Sequence, residues 1–467
     1  MGGRKQPLSR DNYRQKNRAE PEGYAGVQTF MWITENNLTG VVQTGYGMLE
    51  QILSPANLNA AYKRVVQNKG AGGVDEIEVE SLKGYLIEQK EELIASILAG
   101  KYQPNPVRRI SIPKEKGKQR HLGIPTVVDR VIQQGITQVL SPIYEQQFSL
   151  NSYGFRPKRS AHQGLRQCLH HLKEGYKYAV DLDLEQFFDT VNQSKLIEVL
   201  SRTIKDGRVV SLIHRYLQAG VMIAGRLEST TAGVPQGGPL SPLLSNILLN
   251  ELDRELETRG HRFVRYADDL IILCKSERSA MRTMTSIVKY VQEKLFLKVN
   301  REKSTVAYAG KVRFLGYSFY QAKGVWRLRL HPKSAERLKT RLKELTARSN
   351  GWGNDHRKEQ LKRFITGWMN YFKLADMKKW LAGTDEWYRR RLRAVFWKQW
   401  KRVRTRFSNL KRLGITEQKA WEFANTRKSY WRISGSEILK YSITNRRLTS
   451  AGYIMLTDTY LAVQKLP

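Results

Sequence analysis

Apolar residues recur at helical spacing from Met48 onward. Leu49, Ile52 and Leu53 share one face, and Leu58, Ala61, Tyr62 and Val65 share the next. Ser54-Pro55 between them reads as a helix start, with Pro55 at the first position, where its missing N–H is not needed. Lys69-Gly70-Ala71-Gly72-Gly73 then reads as a loop in which several residues could take positive φ. Residues 107–125 read as a β-hairpin. Val107, Ile110 and Ile112 are apolar positions of its first arm, Glu115-Lys116-Gly117-Lys118 is the turn, and His121-Leu122-Gly123-Ile124-Pro125 returns. Helical spacing resumes over 126–147 and 160–174. An apolar strand over 177–184 leads into a helix near 192–205, and helices over 241–258 and 278–296 bracket a second hairpin. Strands and helices mix without a regular βαβ alternation, so the expectation is an α+β fold. Beyond His331-Pro332 the periodicity is helical, and no internal repeat is visible. Residues 1–47 are polar and weakly periodic and read as a variable N-terminal arm.

Composition adds a partner to this picture. The chain has 467 residues, 40% of them hydrophobic, enough for cores in more than one domain. It carries 80 Lys and Arg against 43 Asp and Glu, a net charge of +37. Such self-repulsion adds nothing to stability by itself, and a polyanion relieves it; nucleic acid is the leading candidate. More than half of that charge lies in residues 331–467, with 32 basic and 11 acidic residues, and eight of the ten tryptophans lie there too. There is no run of about 18 apolar residues, so no membrane partner is expected. The start, Met1-Gly2-Gly3-Arg4-Lys5, lacks the apolar core of a secretory signal. Cys168 and Cys274 support neither a disulfide framework nor a Cys-x-x-Cys zinc site, which suits a reducing cytoplasm.

The candidate chemistry is carboxylate chemistry. Arg262 to Leu273 holds two apolar β-type runs around Ala267-Asp268-Asp269. Adjacent acids at the tip of a buried hairpin repel each other and resist desolvation unless solvent or a cation neutralises them. An Asp-rich turn without a metal is the plainer alternative. A second apolar strand, Tyr178 to Leu184, also runs into acids. Its alternation sets Asp181 and Asp183 on one face, and Val180 and Leu182 on the other. A strand-end carboxylate beside a carboxylate pair is a way to hold two Mg²⁺ ions with hard oxygen ligands.

These residues resemble a known family. Tyr266-Ala267-Asp268-Asp269 looks like the palm signature of reverse transcriptases. Asp183 with Phe187-Phe188-Asp189 matches the first palm motif, and Gly233-Val234-Pro235-Gln236-Gly237-Gly238-Pro239-Leu240-Ser241-Pro242 the next. Further blocks resemble the group II intron-encoded members. They are Gly100 to Pro104, Ile112 to Lys114, Arg120 to Thr126 with Asp129-Arg130, Asn151 to Pro157, Asn300 to Ser304, and Phe314 to Tyr317. The resemblance covers roughly residues 48–467. It implies a right-hand polymerase over 48–330, whose fingers and palm carry antiparallel sheet. A helical thumb and maturase domain over 331–413 and a small helical C-terminal DNA-binding region over 414–467 would follow. The bacterial type without an endonuclease domain is expected, in the bacterial cytoplasm or at the nucleoid.

The resemblance also implies roles. Asp183, Asp268 and Asp269 would be catalytic, and with Leu184 they would hold two Mg²⁺ ions. Lys114, Arg120, Phe188 and Gln236 would meet the incoming deoxynucleotide. Tyr266, Gly237 and Lys303 would lie at the primer and template. The expected partners are group II intron RNA, an RNA template with its DNA primer, target DNA and dNTPs. Between Tyr388 and Arg412 there are no acids. Arg389, Arg390, Arg391, Arg393, Lys398, Lys401, Arg402 and Arg404 are read as RNA-binding there, while Leu392, Phe396, Gln399 and Val403 follow one helical face. A reverse transcriptase freed from its intron for repair or defence, or a catalytically silent RNA-folding cofactor, are the competing readings.

Overall fold

The computed structural model describes residues 47–113 and 119–465, apart from the Arg120 side chain. The N-terminal arm, the hairpin turn 114–118 with Lys114, and the Arg120 side chain lie outside the described residues. Contacts divide the chain into two units, Met1–Tyr308 and Ala309–Pro467. The division falls ahead of residue 330, because the strands of 313–330 form a sheet of their own.

The first unit contains strands β1 (Val107–Pro113), β2 (Gln119–Ile124), β3 (Tyr178–Leu182), β4 (Val221–Ile223), β5 (Arg226–Glu228), β6 (Arg262–Tyr266), β7 (Asp269–Cys274) and β8 (Thr305–Tyr308). One sheet has the order β2-β1-β4-β5, the other β6-β7-β3-β8. The first is built on the antiparallel β1–β2 hairpin, with Ile112 opposite Arg120. β1 also pairs in parallel with β4 through Val107 and Val221. The second sheet is antiparallel throughout, with Leu182 opposite Leu270 and Asp181 opposite Thr305. Val180, Leu182, Phe263, Leu270 and Ile272 are buried in one continuous core. Helix Glu277–Glu293 packs on β3, and helix Ala161–Lys173 on β6.

Local sequence explains where the helices begin. Ser54 Oγ accepts from Asn57 N, so helix Pro55–Asn68 starts at the proline. Thr126 Oγ1 accepts from Asp129 N at 3.1 Å and opens helix Val127–Glu145. Ser160 and Gln163 form a reciprocal capping box before Ala161–Lys173. Several motif blocks act as scaffold. The buried Asp129 carboxylate accepts from Tyr102 Oη at 2.6 Å, Thr126 Oγ1 at 2.6 Å and Asn105 N at 3.2 Å, tying the Gly100 to Pro104 block to the start of that helix. Burial raises its pKa, and these donors pull the other way. Arg156 clamps Glu145 at 2.7 Å and the Ser149 and Ser152 carbonyls.

Two expectations need correction. In the loop after Asn68, the positive φ angles fall on Lys69 (47°) and Glu76 (57°), and not on the glycines. The glycines serve close approach instead. A Cβ on Gly73 would lie 2.5 Å from Thr126 Cα. The helical face predicted to run from Leu392 to Val403 is interrupted as well. The helix Lys378–Gln399 ends there, Arg402 is extended (φ −91°, ψ 148°), and Val403 opens a separate helix, Val403–Arg412. Arg406 Nε donates to Trp400 O at 3.0 Å at the break, and Val403 is 36% exposed instead of packed.

The second unit opens with a 3-10 turn, Ala309–Lys311, followed by β9 (Arg313–Phe314), β10 (Tyr317–Ala322) and β11 (Val325–Leu330), in the order β11-β10-β9. The described residues after β11 that lie in regular elements are all helical. They run from Pro332–Leu345 and Asn354–Phe372 through Lys378–Gln399 to Leu456–Gln464. His331 caps the first of these at the predicted boundary, Nδ1 accepting from Lys333 N at 3.1 Å. Among the described residues no helix is long and apolar enough to cross a membrane.

Candidate active site

β6 and β7 are joined by two residues, Ala267 and Asp268, since Tyr266 pairs with Asp269. Ala267 has φ +56°. A left-handed first turn residue suits the right-handed twist of a tight hairpin but is strained for alanine, which has a Cβ and no polar side chain to bond locally. Asp268 and Asp269 are exposed at this tip. β3 ends beside it. Leu182 pairs with Leu270, so one further step in the register sets Asp183 opposite Asp269 at the same end of the sheet. The alternation read from the sequence holds here. Val180 and Leu182 are buried, while Asp181 and Asp183 are half-buried on the other face.

The Asn300 to Ser304 block clasps Asp183. Ser304 Oγ accepts from Asp183 N at 3.0 Å, and Asn300 N donates to Asp183 O at 2.9 Å. Lys303 Nζ lies 3.3 Å from the Asp183 carboxylate. Leu184 bridges Val299, and the bonds of that bridge run from Glu185 N to Lys298 O and from Asn300 N to Asp183 O. Antiparallel geometry therefore turns the Leu184 carbonyl away from residues 298–300, toward the β6–β7 side. Sequence reasoning gave a role to Lys303 but none to Asn300 or Ser304, although both lie in the block that carries the resemblance.

The donor set suits a hard divalent cation: carboxylate oxygens and a backbone carbonyl at one sheet end, with an ammonium already drawn to Asp183. Among the described residues no three His, Cys, Asp or Glu side chains form a ready-made metal cage.

Around these acids, Phe187 is buried and Phe188 half-buried, their rings edge to face at 5.3 Å. Val234 N donates to Phe188 O at 2.6 Å, which brings the Gly233 to Pro242 loop alongside. That loop also meets β2: Gly123 N donates to Gln236 O at 2.7 Å, and a Cβ on Gly237 (φ +122°) would lie 2.4 Å from Gly123 O. Tyr266 is buried, and burial followed by the Asp269 charge pushes its hydroxyl up to about 12.

The basic stretch of the second unit divides into two classes. Arg390 Nη2 donates to Trp431 O at 3.0 Å, with its guanidinium 4.1 Å from the Trp431 ring centroid. Arg391 donates to Thr346 Oγ1 at 2.6 Å and Lys343 O at 2.8 Å. Arg393 is buried and donates to Ile443 O at 3.0 Å. These three staple helix Lys378–Gln399 to its neighbours. Arg389 and Lys398 are half-exposed, and Lys401, Arg402 and Arg404 are exposed.

A strand-end aspartate beside a hairpin aspartate pair, on an antiparallel sheet continued by a helical domain, defines a right-hand polymerase of the reverse transcriptase class. The reverse transcriptase (RNA-dependent DNA polymerase) family matches residues 112–319. The group II intron maturase-specific domain matches residues 335–414. The chain is 32% identical over 311 residues to Protein YkfC of Escherichia coli K12, covering 58% of this chain and 82% of YkfC. It is 29% identical over 351 residues to the group II intron-encoded protein LtrA of Lactococcus lactis subsp. cremoris, covering 61% of this chain and 58% of LtrA. It is 29% identical over 203 residues to the mitochondrial nuclear intron maturase 2 of Arabidopsis thaliana, covering 35% of this chain and 28% of that one. The chain belongs to the group II intron-encoded reverse transcriptase and maturase family. It is an RNA-directed DNA polymerase with a maturase domain, and its family uses divalent metal ions.

Proposed function

We propose that this chain copies RNA into cDNA with two Mg²⁺ ions held by Asp183, Asp268, Asp269 and the Leu184 carbonyl. The observation that carries this reading is the pairing of Leu182 with Leu270, which ends β3 beside the Asp268-Asp269 turn at the same end of the sheet. Bound Mg²⁺ supplies charge neutralisation at the transferring phosphoryl group and acidifies the attacking 3′-hydroxyl. The chain's own residues position the reactants. Lys114 and Arg120 hold the triphosphate, Arg120 by its fork and Lys114 as a point charge. Phe188 presses on the sugar and excludes a 2′-hydroxyl. Gln236 and the Gly237 backbone line the template base and nucleotide, and Tyr266 supports the primer end. Lys303 stays beside the Asp183 carboxylate and offsets part of its charge.

The second unit is the intron-RNA partner surface, with Arg389, Lys398, Lys401, Arg402 and Arg404 as phosphate contacts. Residues 414–467 meet target DNA, and the bacterial cytoplasm is the setting. The test is primer extension on an RNA template with dNTPs, with and without Mg²⁺, for wild type and Asp268→Asn. Metal-dependent cDNA from the wild type alone is the expected result. No cDNA from well-folded wild type would leave an RNA-folding cofactor as the better reading.

A further inference from the structure

The strained Ala267 is held from below by one buried side chain. Arg265 is 1% exposed, and its Nη1 donates to the Ala267 carbonyl at 3.0 Å. The same nitrogen donates to Asn246 Oδ1 at 2.9 Å, while Nε and Nη2 grip the Asp253 carboxylate at 2.7 and 2.5 Å. Asn246 and Asp253 are fully buried, seven residues apart on one face of helix Ser241–Thr258. Asn246 Nδ2 continues the network to Gly154 O at 2.9 Å. Gly154 presses on the turn itself, since a Cβ there would lie 2.2 Å from Ala267 N. Tyr153 N to Arg265 O and Arg265 N to Asn151 O complete the frame at 2.8 and 2.9 Å.

We infer that Arg265, seated by Asp253 and Asn246, is a positioning residue for nucleotide transfer. It fixes the carbonyl that precedes Asp268, and so the direction in which Asp268 and Asp269 present their carboxylates. The inference rests on the reading of those two aspartates as catalytic. Stability alone does not account for the arrangement, because a well-packed apolar set in place of a buried ion pair is often as stable or more so. The planar fork does what an apolar side chain does not: it bonds one helix through all three nitrogens and, with Nη1, the turn carbonyl as well. Burial pushes the Asp253 carboxyl up, against the pull of the Arg265 guanidinium.

The test uses the full chain and three variants. Arg265→Lys keeps the charge and loses the fork. Asn246→Ala leaves the Arg265–Asp253 pair in place and loosens its far end. Asp268→Asn reports on the catalytic reading itself. Extension kinetics are measured with an RNA template and DNA primer, and hydrogen exchange is measured on the enzyme without substrate or metal. For Arg265→Lys, kcat is expected to fall about 100-fold, as for a small misplacement of reacting groups. KM for dNTP should stay within roughly threefold, the pattern of an interaction made for the transition state. Asn246→Ala should fall by about tenfold, the lower range for a supporting contact. Exchange should rise at residues 266–269 and stay unchanged in β3 and in residues 270–274 of β7. Unchanged kcat in Asn246→Ala, or exchange rising across the whole sheet in both variants, overturns the inference; Asn246→Ala decides alone if Arg265→Lys does not fold. Synthesis surviving in Asp268→Asn overturns the catalytic reading instead.

Discussion

At the residue scale, Asp183 and Lys303 form a pair with a measurable consequence. The Lys303 side chain is 60% exposed, so its 3.3 Å contact with Asp183 is screened by water. Removing a unit charge about 4 Å away in water is worth about 1 kcal/mol, or roughly fivefold in a binding constant. Lys303→Met should therefore lower the Mg²⁺ concentration that gives half-maximal extension by roughly that factor. It should also leave RNA affinity unchanged in filter binding. An unchanged Mg²⁺ curve would mean the lysine leaves Asp183 once substrates bind. Asp268→Asn belongs to the same scale, with cDNA synthesis expected to disappear and RNA binding to persist. The three aspartates were legible in the sequence because acids interrupt apolar runs at both strand ends. Ser304, Asn300, Asn246 and Arg265 were not assigned roles, because what they do is bond backbone far away in the chain. Ser304 reaches Asp183 across 121 residues, and no local spacing announces that contact.

Elements whose borders rest on local chemistry were the legible ones. The caps at Ser54, Thr126, Ser160 and His331 stand where polar residues precede an apolar period. Short strands such as β4 and β5 escaped notice because three residues carry too little alternation to distinguish from a loop. Helix 378–399 was overextended for the reverse reason: Val403 continues the period, but the chain breaks at Trp400, whose carbonyl accepts from Arg406 Nε instead of from a helical N–H. His331 gives this scale a pH prediction. Its pKa is pulled from the ordinary 6.5 to about 4, first by burial and then by Arg313, Lys333 and Arg329. The neutral ring is the one that accepts from Lys333 N. A depressed folded-state value means the contribution is complete above about pH 6.5 and is lost as pH falls toward about 4, because the unfolded chain takes up the proton first. His331→Asn keeps a capping acceptor that does not titrate. The melting temperature of the wild type should drop relative to that variant over this window and run parallel above it. Parallel curves throughout would remove His331 as a pH-sensitive cap.

At the scale of the whole molecule, a net charge of +37 describes the chain less well than the way its cations are used. Arg390, Arg391 and Arg393 are joined to carbonyls and rings inside the second unit, and burial lowers the pKa of Arg391 and Arg393. Their composition alone looks the same as that of Lys401, Arg402 and Arg404, which are exposed around the helix break. The two groups should separate in one experiment. Each phosphate contact on structured RNA adds a released counterion, so binding weakens with salt by a slope of about 0.7 to 0.9 per contact. Replacing Lys401, Arg402 and Arg404 with glutamine should reduce that slope by up to about 2 to 3 and leave melting nearly unchanged. Replacing Arg391 with glutamine strips donors from the Lys343 and Thr346 carbonyls; it should lower the melting temperature while the salt slope stays put. A slope lost with Arg391 and kept without the exposed trio would place the RNA on the opposite set of cations, and the staples would then be rearranging when RNA binds.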